Sequence, residues 1–147
     1  MNQPTFPWKS GLLGGDAELL EQIFAALNKG LPFGFELSHS AVGMAWVVPF
    51  SLYPSGYHCP PPQPLPFMGV RVQKSHVALH HLGLYASSDL TQAFVARLIS
   101  EGLAKPDMGK GCFRIKRNRP VPTASLSWLA EQLTVSSYIE LYESGFI

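Results

Sequence analysis

Tyr57, His58 and Cys59 place a phenol, an imidazole and a thiol on three successive residues, inside a stretch crowded with proline. A thiol beside an imidazole suits soft-metal binding or activation of a thiolate. Adjacent residues of an extended chain point apart, however, and no Cys-x-x-Cys or His-x-x-x-His spacing accompanies them, so the pattern indicates no zinc site. If Cys59 were a nucleophile, its base would have to be His58 or His80. His76, His80 and His81 form a second group. In one strand, His76 and His80 share a face and His81 points the other way. Two same-face imidazoles four residues apart lie roughly 13 Å from each other, too far to hold one metal ion. The third group is GKGCFRIKRNR, residues 109–119, which carries Lys110, Arg114, Lys116, Arg117 and Arg119 beside Cys112, five of the 11 lysines and arginines. Such donors can hold phosphate or carboxylate, and the competing reading is a solvated edge whose cations discourage strand pairing. The turn Gly109-Lys110-Gly111 is too short for a phosphate-binding P-loop. The acids are dispersed. Asp16, Glu18 and Glu21 come closest to a group and read as a solvated helix face.

The elements that must position these residues follow from periodicity. Residues 1–15 show no period and read as an extended arm. In DAELLEQIFAALNKG the residues Leu19, Leu20, Ile23, Phe24 and Leu27 recur at helical spacing, with Asp16 expected to cap the segment and Gly30 to close it. A strand is expected from about Val42 to Val48, ended by Pro49. SLYPSGYHCPPPQPLP holds six prolines and cannot form a regular ladder, so it reads as a long loop, either functional or packed down by Tyr53, Tyr57 and Leu65. FMGVRVQ and SHVALHHLGLY follow as a hairpin turning near Lys74 and Ser75. Next come a helix over DLTQAFVARLISEG capped by Ser87 or Ser88, a turn at KPDMGKG, and a strand CFRIKR with Phe113 and Ile115 on one face and Cys112, Arg114 and Lys116 on the other. RNRPVP breaks that strand. Two short helices close the chain, the second capped by Thr134. This order predicts an α+β two-layer sandwich, a mainly antiparallel sheet with helices on one face.

Bulk composition limits partners. A chain of 147 residues fits one domain and can bury a sizeable core without a metal or disulfide. Its charged fraction of 14% is low and its formal net charge is +1, so no global field draws it to nucleic acid or an anionic membrane, and any electrostatic function must be local. Neither a membrane-span-length apolar run nor an export signal is visible, which points to the cytoplasm and to free thiols at Cys59 and Cys112.

Between Gly43 and Glu143 the sequence resembles the YdhG-like family, domains of unknown function. The marks are Gly43-Met44, the YPSGYHC loop, Gln73-Lys74 before the histidine-rich strand, Gly83-Leu84-Tyr85, and Met108 through Lys116. The resemblance implies a frataxin-like fold, a bacterial source and, for some relatives, a role as iron chaperone in iron–sulfur assembly. That role is associated with acids on the first helix and strand. Here the helix supplies Asp16, Glu18 and Glu21, and the Val42–Val48 strand supplies none. The residues that stand out chemically also match the family pattern: Tyr57, His58, Cys59, His80, Lys110, Cys112 and Arg114. They suggest a cleft between sheet and proline loop that binds a small anionic ligand, with no cofactor and no metal. Iron handling and thiol-dependent catalysis are the alternatives, and self-association through the aromatic-rich surface is left open.

Overall fold

The structure is a computed structural model that describes residues 15–145; the expected N-terminal arm lies outside them apart from Gly15. Its helices are α1 (Asp16–Gly30), α2 (Leu82–Ala86), α3 (Ser88–Ser100), α4 (Thr123–Glu131) and α5 (Val135–Glu143). Its strands are β1 (Glu36–Ser40), β2 (Gly43–Val48), β3 (Leu65–Val72), β4 (Val77–His81), β5 (Asp107–Gly109) and β6 (Cys112–Ile115). The six strands form one open sheet in the order β1-β2-β3-β4-β6-β5, antiparallel at every junction. Met44, Trp46, Met68, Val70, Val77, Leu79, Phe113 and Ile115 turn to one face, where all five of the described helices contribute to a continuous apolar core. The fold is thus the two-layer α+β sandwich that the element order predicts. No described helix is long and apolar enough to cross a membrane.

Helix α1 buries Leu20, Ile23 and Leu27 completely, as its periodicity requires. Its ends work differently from the expectation. The residue before the helix is Gly15, with no side-chain cap. Asp16 instead meets Arg117, whose Nε and Nη2 donate to the two carboxylate oxygens at 2.8 and 3.3 Å. The same guanidinium donates to the carbonyls of Lys74 at 3.1 Å and Gln73 at 2.6 Å. Arg117 therefore ties the start of α1 to the β3–β4 turn, and it is a structural clamp rather than a free anion donor. Replacing it by Ala strands a half-buried carboxylate and two carbonyls, and should cost about 2 kcal/mol in urea unfolding. Arg117→Lys should recover less than half of that loss, because an ammonium cannot fork.

Gly30 ends α1 without left-handed backbone. It is glycine because α1 lies directly on α4: an added Cβ would stand 2.0 Å from the Ser127 carbonyl oxygen.

The sheet departs from expectation in three places. LPFGFELSHS contains β1, which pairs with β2 from Glu36↔Val47 to Ser40↔Gly43. The expected KPDMGKG turn contains β5, closing a tight hairpin with β6 through Lys110 and Gly111. The histidine-rich strand stops at His81, and LGLYA winds into α2. His81 is the hinge of that change. Its Nδ1 accepts from the Leu84 N–H at 3.1 Å, capping α2, while its ring is fully buried edge-on to Phe67 at a centroid distance of 4.8 Å. His76 precedes β4 and contacts Ser75 Oγ at 2.9 Å, so it does not share a strand with His80. A register shift at Trp46/Val47 leaves Phe67 as an extra residue on β3, which allows the consecutive Phe67 and Met68 both to be buried.

Candidate functional site

Of the seven sequence-selected residues, Tyr57, His58 and Cys59 lie on the proline segment and His80, Cys112 and Arg114 on the sheet, while Lys110 and Tyr57 both lie near Tyr85. The proline segment after β2 lies against α5. The His58 N–H donates to Tyr142 Oη at 2.8 Å, and that hydroxyl also lies 2.7 Å from His58 Nδ1. Tyr53 donates to Glu143 Oε2 at 3.1 Å, and the Tyr57 N–H donates to the Gln63 carbonyl at 3.0 Å. Gly56 makes the return possible. Its φ is +64°, and a Cβ there would come within 2.5 Å of the Gln63 carbonyl oxygen. The rings of Tyr57 and His58 pack at 4.7 Å, and both neighbour the Tyr142 ring. Burial, with a hydrogen bond to Cys59, raises the Tyr57 phenol pKa. In this setting Tyr57 and His58 anchor a loop, and the Pro60–Pro61 peptide within it is cis.

His80, Cys112 and Arg114 belong to the face of the sheet opposite the core. Register aligns two rows across it. One runs Ser38, Ala45, Gly69, His80, Cys112, Gly109; the next runs Ser40, Gly43, Arg71, Ala78, Arg114, Asp107. Arg114 Nη1 pairs with Asp107 Oδ1 at 2.9 Å, and Lys116 Nζ pairs with Oδ2 at 3.0 Å. These cations hold the Asp107 carboxyl below its ordinary pKa. Lys110 points elsewhere, over the Tyr85 ring at 4.5 Å. Lys105, Arg114, Lys116 and Arg119 also border a hollow beside Asp107, but at about 30 Å³ it has room for roughly two waters.

Cys112 is half-buried, and desolvation pushes its thiol pKa up. A raised pKa means less thiolate at neutral pH, the opposite of what a nucleophile needs. Cys112 should therefore react with iodoacetamide at pH 7.5 several-fold more slowly than cysteine in an unstructured peptide. A faster rate would restore it as a reactive thiol.

One feature of the open face has no counterpart in the sequence reading. A trough of about 390 Å³ lies over β1, β2 and β3 and reaches His80 on β4. Gly43, Ala45 and Gly69 form its floor, Ser38 and Ser40 stand on the β1 side, and Arg71 and His80 stand opposite. Arg71 is exposed and, among the described residues, makes no ion pair or side-chain hydrogen bond. None of the described residues lining the trough carries a carboxylate. The alternation in GVRV, which puts Gly69 and Arg71 on one face, was the available signal. Its significance depends on register, which aligns them with Ala45, Gly43 and His80. No family model, curated protein or solved structure matches this chain.

Proposed function

We propose that this chain is a small-ligand-binding domain that holds an organic anion on the open face of its sheet. The observation carrying this reading is the exposed Arg71, unpaired among the described residues, at the rim of a 390 Å³ trough whose described lining holds no acid. A guanidinium offers two parallel donors to a carboxylate or phosphate, and the floor of Gly43, Ala45 and Gly69 leaves space above the strands for the body of the ligand. His80 and the Ser38 hydroxyl supply polar groups on either side, a few fixed contacts around a mainly apolar base. The other two readings gain less support. Asp16, one of the acids an iron-handling helix would present, is held by Arg117, and the Cys112 thiol is shifted away from nucleophilicity.

Titrating isotopically labelled protein with acetate, benzoate, citrate and inorganic phosphate, one at a time, tests the reading by amide chemical shifts. At least one anion should produce saturable shifts centred on Ala45, Gly69, Arg71 and His80. Saturable shifts confined to Tyr57, His58 and Tyr142 would place binding on the proline loop instead.

A further inference from the structure

Gly69 is a glycine that the fold does not need. Its φ is not in the left-handed region, and among the described residues a Cβ added there would meet only Met44 O at 3.5 Å and Ala45 Cβ at 3.9 Å, ordinary contacts. Gly43, in the same trough, differs: its Cβ would stand 2.0 Å from the Val70 carbonyl oxygen, so strand packing alone requires glycine there. Glycine inside a central strand loses more conformational freedom on folding than alanine and packs nothing against its neighbours. At position 69 the missing methyl leaves the trough floor one methyl deeper beside Ala45. From Ser38 to His80 the row crosses three strand spacings, roughly 14 Å, and the two middle positions, Ala45 and Gly69, carry at most a methyl group.

We infer that the trough takes a planar aromatic carboxylate, its ring face lying on Gly69 and Ala45, its carboxylate on Arg71, and its edges toward His80 and Ser38. This rests on the anion-binding reading and adds the shape of the ligand. A flat ring gains contact from a floor whose side chains are no larger than a methyl, whereas a puckered ring of the same size meets it at only a few atoms. Arg71 and His80 are diagonal neighbours on β3 and β4, so one ligand can reach the guanidinium with its anionic end while its ring edge meets the imidazole.

The test compares 2-naphthoate with its fully saturated decalin analogue by NMR titration of the full chain, repeated with Gly69→Ala and Gly69→Val. The naphthoate should bind at least tenfold more tightly than the saturated acid and move the Ala45 and Gly69 amides by ring-current shifts. Gly69→Ala should unfold at the same temperature or higher and bind naphthoate about fivefold more weakly, with Gly69→Val weaker by tenfold or more. Equal affinity for the two acids, or full affinity in a folded Gly69→Val, overturns the planar-ligand inference and leaves anion binding standing. Absence of naphthoate binding to the unsubstituted chain overturns it as well. If acetate and inorganic phosphate then also leave Arg71 unmoved, the anion-binding reading falls with it.

Discussion

Lowering the pH from 7 to 4 should weaken this fold by about 3 kcal/mol through His81 alone. The ring is completely buried, and desolvation depresses its pKa from 6.5 to about 3. Because Nδ1 accepts from Leu84, the proton of the neutral ring sits on Nε2, which is buried without a hydrogen-bond partner among the described residues. Between pH 6.5 and 3 the unfolded chain binds a proton there that the native chain refuses. Stability is therefore complete above 6.5 and falls as the pH drops, with the unfolding constant rising about tenfold per unit. Urea unfolding at half-unit intervals measures this slope. His81→Asn keeps an acceptor for Leu84, lowers stability at pH 7 by losing the ring's packing on Phe67, and should flatten the slope between pH 6 and 4. The ring Cε1 proton provides an independent reading, since its shift should remain that of neutral imidazole down to pH 4. A midpoint near 6.5 would contradict the burial argument.

Gly30→Ala should be among the most damaging single-methyl additions in the protein, lowering stability by about 3 kcal/mol and the melting temperature by roughly 10 °C. Alanine is usually the better helix residue, so propensity favours the substitution by up to about 1 kcal/mol. Contact reverses that sign, because the new methyl would lie 2.0 Å from the Ser127 carbonyl oxygen and 2.9 Å from its carbon, both backbone atoms that cannot rotate away. The two helices must separate, loosening Leu27 and Leu126 in the core. Gly15→Ala, at the cap position before α1, controls for a methyl added without a clash, since among the described residues a Cβ there meets nothing within 4 Å. Thermal unfolding of both variants checks this, and an unchanged melting temperature for Gly30→Ala would show that Gly30 is not the point of close approach.

Most of the fold was legible where side-chain period and burial agree. Leu20, Ile23 and Leu27 mark α1, and Phe113 and Ile115 against Cys112 and Arg114 mark both faces of β6. The missed strands lack that agreement. β1 reads Glu-Leu-Ser-His-Ser, is largely exposed, and exists because its backbone pairs with β2. β5 is three residues set by its hairpin with β6. The misplaced end of β4 has another cause: an apolar run such as LGLYA fits a strand or a helix equally well, and the capping contact from His81 decides it.

The candidate site was harder to read because chemically rich residue types were also structural ones. Tyr57 and His58 brace a proline loop against Tyr142, and Arg117 clamps α1. Arg71, by contrast, belongs to no recognisable motif. It matters because pairing sets it diagonally from His80, and beside the small floor residues on β2 and β3. Such a placement is long-range information that spacing along the chain does not contain.

The direct test of the anion-binding face is calorimetric titration of benzoate into the unsubstituted chain, Arg71→Ala and His58→Ala, each checked for a native melting transition. Loss of one charge-assisted contact should weaken binding by roughly tenfold to hundredfold in Arg71→Ala, while His58→Ala should bind as the unsubstituted chain does. Unchanged affinity in Arg71→Ala, or a loss confined to His58→Ala, would contradict the account.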